Sequence, residues 1–201
     1  MKRVIIKIIL SLVLLPVCAF VALAFIFKDP QATTKIENPE NSEIIYLTKE
    51  SSINQLSCKS SMDFVFSNHS ENEISFWGQK IRIIENDYLD EIRVGLTDYK
   101  TSKIELWNKG RLIESHEVGF KRKFKKGKTY TLSVAINQEQ SFVCLHLRDA
   151  MMGALNEIAE DRLDFSAYTN QIKLETIQLF SSNEYLSFSN FQVWENWISI
   201  D

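Results

Sequence analysis

Four acidic residues, Glu85, Asp87, Asp90 and Glu91, surround Tyr88. Two carboxylates on alternate positions of one strand share a face and can divide the acid and nucleophile roles of glycoside cleavage. Here the spacing slips from two to three and the group falls between strands, so it reads as a solvated turn. The histidines are isolated from one another: His69, His116 and His146 have no metal-ligand spacing to another His or Cys. His146 alternates with Leu145 and Leu147 and is expected to face solvent or a groove, with Asp149 in reach of a hydrogen bond. Asp161 and Asp164 are the only contributors to a calcium site that the pattern offers, and no cofactor is expected. No set of residues points to catalysis.

The sharpest charge feature is Lys121, Arg122, Lys123, Lys125, Lys126 and Lys128. As a loop it would meet anionic headgroups or an acidic polymer, or else be a solvated connection that offsets nearby acids. Trp77, Trp107, Trp194 and Trp197 read as core aromatics first and as sugar-stacking platforms second, with Trp197, placed beyond the last strand, expected to be the most exposed. Asn68-His69-Ser70 fits an N-glycosylation acceptor, which bears only on a eukaryotic source.

The elements that must position these groups begin with an apolar run. Lys2, Arg3 and Lys7 precede 20 residues from Ile8 to Phe27 without a charge. As a helix that run is about 30 Å long, the thickness of a bilayer's hydrocarbon core. The basic flank of residues 1–7 belongs on the cytoplasmic side, so 8–27 reads as an uncleaved signal-anchor and the rest as extracytoplasmic. Residues 28–42, with Asp29-Pro30 and Asn38-Pro39, read as a polar spacer, and 43–201 as one domain. Positions 1–28 hold four of the 23 basic residues and no acid, leaving 19 against 26 acids, a net charge of −7. A domain of that sign is no general polyanion binder, and nucleic acid is not an expected partner.

From Glu43 onward short alternating runs are separated by turn-formers, the pattern of strands with one buried face. Ile104 and Leu106 oppose Lys103 and Glu105; Leu132, Val134 and Ile136 alternate with Thr131, Ser133 and Ala135. Strands are expected at Glu73 to Trp77 and at Lys80 to Ile84, separately, and a hairpin at Leu106 to Leu112 through Asn108-Lys109-Gly110. About eleven such runs predict an all-β antiparallel sandwich. Ala150, Met151, Ala154, Leu155 and Ile158 fall at helical spacing, so one short helix is expected over Asp149 to Asp161. Cys58 and Cys144 are the only cysteines beyond the apolar run and read equally as a disulfide or as two buried thiols.

Three pieces resemble the concanavalin A-like jelly-roll superfamily of laminin-G, pentraxin and legume-lectin type: Phe124, Gly127 and Tyr130 leading into Leu132–Ile136; Phe142 to Leu147; and Ile177 to Phe180 with Leu186 to Trp194. The resemblance implies a jelly roll and a carbohydrate-binding module. Two departures stand out: Arg148 to Asp164 is longer than the family's usual turn, and Ser189 and Asn190 stand where an acid is common. The expectation is a membrane-anchored module that recognises a glycan or another envelope component, with Trp197, His146 and the Lys121–Lys126 loop as candidate contacts. The alternatives are an assembly protein beside a membrane complex and, third, a glycosidase or lyase.

Overall fold

The computed structural model describes residues 31–47, 57–67, 76–97, 101–120, 124–138, 140–151, 157–169, 172–181 and 186–197. The proposed membrane segment, the Lys121–Lys123 triplet and Asn68-His69-Ser70 lie outside them. Among the described residues no helix is long and apolar enough to cross a membrane.

The described residues form twelve strands: β1 (Thr34–Ile36), β2 (Ile44–Tyr46), β3 (Ser57–Phe66), β4 (Trp77–Ile84), β5 (Glu91–Leu96), β6 (Thr101–Asn108), β7 (Arg111–Gly119), β8 (Thr129–Asn137), β9 (Phe142–Asp149), β10 (Glu157–Asp164), β11 (Lys173–Phe180) and β12 (Leu186–Trp197). They form two antiparallel sheets of six, β1-β12-β3-β8-β9-β10 and β2-β11-β4-β5-β6-β7. Each sheet turns its alternate apolar residues toward the other. Met62, Phe64, Leu132 and Leu145 from the first sheet, and Trp77, Ile92 and Ile104 from the second, are fully buried. Side chains from the opposite parity of each strand form the two outer faces.

Four expectations are corrected. Among the described residues there is no helix: Glu157 to Asp161, expected to be helical, belong to β10, which pairs with β9 around a bulge between Glu157 and Ala159. The apparent helical period joined unrelated environments. Met151 is a turn residue 87% exposed, whereas Ile158 is half-buried on the strand that follows. The break expected at Gly78 is also absent, and β4 runs through it. Gly78 (φ 153) pairs with Gly95, and a Cβ on Gly95 would lie 1.9 Å from the Trp77 carbonyl oxygen. Glycine permits this close approach without ending the strand. The segment read as a spacer supplies β1, whose Thr34 to Ile36 pair with Val193 to Phe191. Finally, Trp197 lies within β12, opposite Ser57, not beyond the last strand.

The hairpin between β6 and β7 forms as expected. Lys109 (φ 50) and Gly110 (φ 76) supply the two positive-φ residues that match the turn to the strands' twist. Two polar contacts tie the edge strand β7 to β10 of the first sheet and to the turn that follows β10. His116 Nε2 lies 3.2 Å from Asp161 Oδ1, and the Tyr168 hydroxyl donates to Glu114 at 2.9 Å.

Cys58 and Cys144 are both buried free thiols. Cys58 is opposite Ile136 and faces the core, while Cys144 is opposite Ala135 and faces outward. Two strand spacings, about 9–10 Å, separate them. That exceeds the ~7 Å limit on Cα separation for a bridge, and the side chains point to opposite faces.

Candidate functional site

The outer face of the second sheet is built in rows set by register. Arg82, Glu91 and Trp107 stand side by side on β4, β5 and β6. The next row is Gln178, Lys80, Arg93, Glu105 and Ser115. The third is Phe180, Gly78, Gly95, Lys103 and Glu117. Alternation places these residues outward because Ile81, Ile92, Ile104 and their neighbours occupy the core parity.

At the first row the sheet opens into a cleft of about 190 Å³ lined by Arg82, Asp90, Glu91, Arg93, Trp107 and Gly110. The β4–β5 connection and the β6–β7 hairpin form its wall. Asn86 Oδ1 accepts from the backbone N–H groups of Tyr88 and Leu89, closing a tight turn. Asp90 Oδ2 accepts the Lys109 N–H at 2.7 Å, and Asn108 Nδ2 donates to the Asp87 carbonyl at 2.9 Å. The two connections are thereby fastened to each other.

The indole of Trp107 is fixed from two directions. Its N–H donates to Glu105 Oε2 at 2.9 Å, and the Arg93 guanidinium lies 4.2 Å from its ring centroid. Arg93 Nε is held by Glu91 Oε1 at 2.5 Å, and Lys80 Nζ lies 3.8 Å from Glu91. Glu105, only 6% exposed, also accepts from Lys103 Nζ at 2.9 Å, and Lys103 reaches Glu117 at 3.1 Å. The hydrogen bond to Glu105 and the second one to Glu117 push the Lys103 ammonium above its ordinary pKa. Arg82 Nε pairs with Glu175 Oε2 at 3.0 Å.

The cleft holds two guanidiniums and two carboxylates, so it offers donors and acceptors in balance. Asp90 and Glu91 are engaged as acceptors of a backbone N–H and of ion pairs, which keeps them in place beside the indole. Among the described residues no group of three or more His, Cys, Asp or Glu could hold a metal. Asp161 and Asp164 do not converge: Asp161 is buried opposite Leu145, and Asp164 is exposed opposite Phe142.

The other residues singled out from sequence lie elsewhere. His146 is half-buried on the outer face of the first sheet, 3.5 Å from Cys144 Sγ. Asp149 faces the other side of β9, where it is buried and pairs with Lys128, so it does not orient His146. The Lys125 N–H donates to the Tyr130 hydroxyl at 2.7 Å, and Lys126 and Gly127 form the turn into β8. Trp77 is a core residue, but Trp107 and Trp194 are half-buried on outer faces, Trp194 beside Lys59. Arg82, Arg93, Glu105 and Trp107 were not expected as a site. Their signal was the polar parity of Glu91–Arg93 and of Lys103–Glu105–Trp107, which puts all of them on one face.

No protein-family model matches the sequence, and no curated protein sequence matches it. Among solved structures the chain is similar to the CBM40 of Ruminococcus gnavus IT-sialidase bound to α2,3-sialyllactose, at 14% identity and TM-score 0.51, covering 85% of this chain and 95% of that one. It is also similar to Caenorhabditis elegans galectin LEC-6, at 9% identity and TM-score 0.49, with 80% and 95% covered. What is shared with the CBM40 at this identity is the fold, a two-sheet antiparallel jelly-roll sandwich.

Proposed function

We propose that this protein is a glycan-binding module held at the outer face of a membrane by residues 8–27. The observation that carries the reading is the half-buried Trp107, set in a cleft between guanidiniums and carboxylates on an open sheet face. A pyranose presents an apolar face of C–H groups and a rim of hydroxyls that both donate and accept. An indole suits the first, and a balanced set of Arg, Asp and Glu suits the second. The solved neighbour at TM-score 0.51 carries a bound sialyllactose, which supports a saccharide as the ligand class. Fold likeness alone does not choose a ligand, so the reading rests on the cleft.

A glycan array probed with the full chain tests the ligand class: the reading expects retention of at least one saccharide group, and a blank array across diverse mono- and oligosaccharides contradicts it. The anchor is tested by cell fractionation. The chain should stay in the membrane pellet through an alkaline carbonate wash, and release into the supernatant contradicts the anchor.

A further inference from the structure

The first row of the outer face forms the cleft, but the third row has a construction of its own. Gly78 and Gly95 sit side by side there and present no side chain, while Phe180 and Lys103 flank them on β11 and β6. The Phe76 ring packs 5.1 Å from the Phe180 ring, centroid to centroid, at an interplanar angle of 78°. Lys103 Nζ lies 5.5 Å from the same Phe76 ring. A ring in contact with both flanks of the glycine pair lies across the backbone that the glycines leave bare. Phe76 and Phe180 are both half-buried, so the pair contributes aromatic surface to the outer face.

We infer that Phe76 and Phe180 form a second aromatic station for the ligand, which is a linear oligosaccharide of three or more units running along β5 and β6 from the Trp107 cleft. The inference rests on the glycan reading above and names the size and direction of the ligand. Trp107 and Lys103 are four residues apart on one strand, a span of about 13 Å. The cleft, at about 190 Å³, is smaller than the ~300–1,000 Å³ of pockets that enclose a drug-sized ligand, so it seats one ring. The middle row, together with the Glu91 carboxylate that reaches into it from the first row, supplies what a second ring needs. Arg93 and Lys80 donate there, Glu91 accepts, and all three side chains keep between a fifth and a third of their surface open. A third ring then meets Phe76 and Phe180. The ladder thus alternates aromatic, polar and aromatic surface along the strand direction.

The test uses the full chain and calorimetric titration with galactose, glucose and N-acetylglucosamine oligosaccharide ladders of one to six units. Expected is binding to at least one ladder that tightens tenfold or more from one unit to three and then levels. Phe180→Ala should remove the gain from two units to three, and Phe180→Leu, which keeps bulk and protects folding, should remove part of it. Trp107→Ala should abolish binding at every length. Single-unit binding that gains nothing with length, or a length dependence unchanged in Phe180→Ala and Phe180→Leu, overturns the second station and leaves the cleft reading standing. If no ladder binds and a broad array is also blank, the glycan reading falls and takes this inference with it.

Discussion

The guanidinium of Arg93 lies 4.2 Å from the centroid of the Trp107 ring, on the outer face of the second sheet. An Arg over an indole contributes about 0.5–1 kcal/mol at an exposed site and about 2 when desolvated. The contact therefore orients the ring more than it stabilises the fold. Glu91 holds the guanidinium and Glu105 holds the indole N–H, so the ring's plane is set before any ligand arrives.

Trp107→Ala should weaken saccharide binding by at least tenfold, about 1.4 kcal/mol, while the urea midpoint moves little. Arg93→Lys should also weaken binding, since an ammonium cannot stack as the planar guanidinium does. Titration calorimetry beside equilibrium unfolding checks both. A large loss of stability with unchanged affinity would make the pair structural.

The sandwich was legible because its strands alternate strictly, as in Leu132, Val134 and Ile136, and because Asn108-Lys109-Gly110 names its own turn. Gly78 misled because a glycine that ends a strand and one that lets two backbones approach look alike until the partner, Gly95, is known. Met151 and Ile158 misled because a turn and a bulged strand can imitate a helical period. The site was hidden for a different reason. Arg82, Arg93 and Trp107 come from three strands, and only the register puts them side by side. A search for clustered residues finds Lys121 to Lys128 instead.

Burial, with the Glu195 carboxylate nearby, pushes the Cys58 thiol up to about 12. The unfolded chain releases that proton near pH 8.5. Between those values the native state keeps a proton that the unfolded state has lost, so stability is full below about pH 8.5 and falls as pH rises toward 12. The loss is on the order of 5 kcal/mol across the window. Cys58→Ala should remove most of the slope between pH 9 and 10 in urea titrations. An unchanged slope would show that Cys58 does not titrate in this way.

Lys103 works in the same direction at higher pH. Its hydrogen bonds to Glu105 and Glu117 raise its folded pKa, so their contribution is present below about pH 10.4 and is lost as pH rises through the folded value. In a Cys58→Ala background, Glu105→Gln should flatten the remaining slope above pH 10. It should also loosen Trp107, read as a shift in the emission maximum of its indole.

Inside the sandwich Ser60 Oγ donates to Gln79 Oε1, joining the two sheets, while the Gln79 side-chain N–H group and the Trp77 indole N–H are buried with no hydrogen-bond partner among the described residues. A buried unpaired donor costs about 1–3 kcal/mol. Gln79→Met, which keeps the volume and removes the donor, should be neutral or stabilising by up to ~1 kcal/mol. Ser60→Ala, which strands the Gln79 oxygen as well, should destabilise by ~1 kcal/mol or more. Chemical denaturation of the two variants separates the cases, and a strongly destabilised Gln79→Met would show that the amide contributes more than its one bond.

The claim on which the rest depends is that the ligand sits on the Trp107 face of the second sheet. A glycan array run in parallel with wild type, Trp107→Ala and His146→Ala tests it most directly, because His146 occupies the outer face of the other sheet. Wild type and His146→Ala should retain the same saccharides, and Trp107→Ala should lose them. Retention by Trp107→Ala with loss in His146→Ala would contradict it.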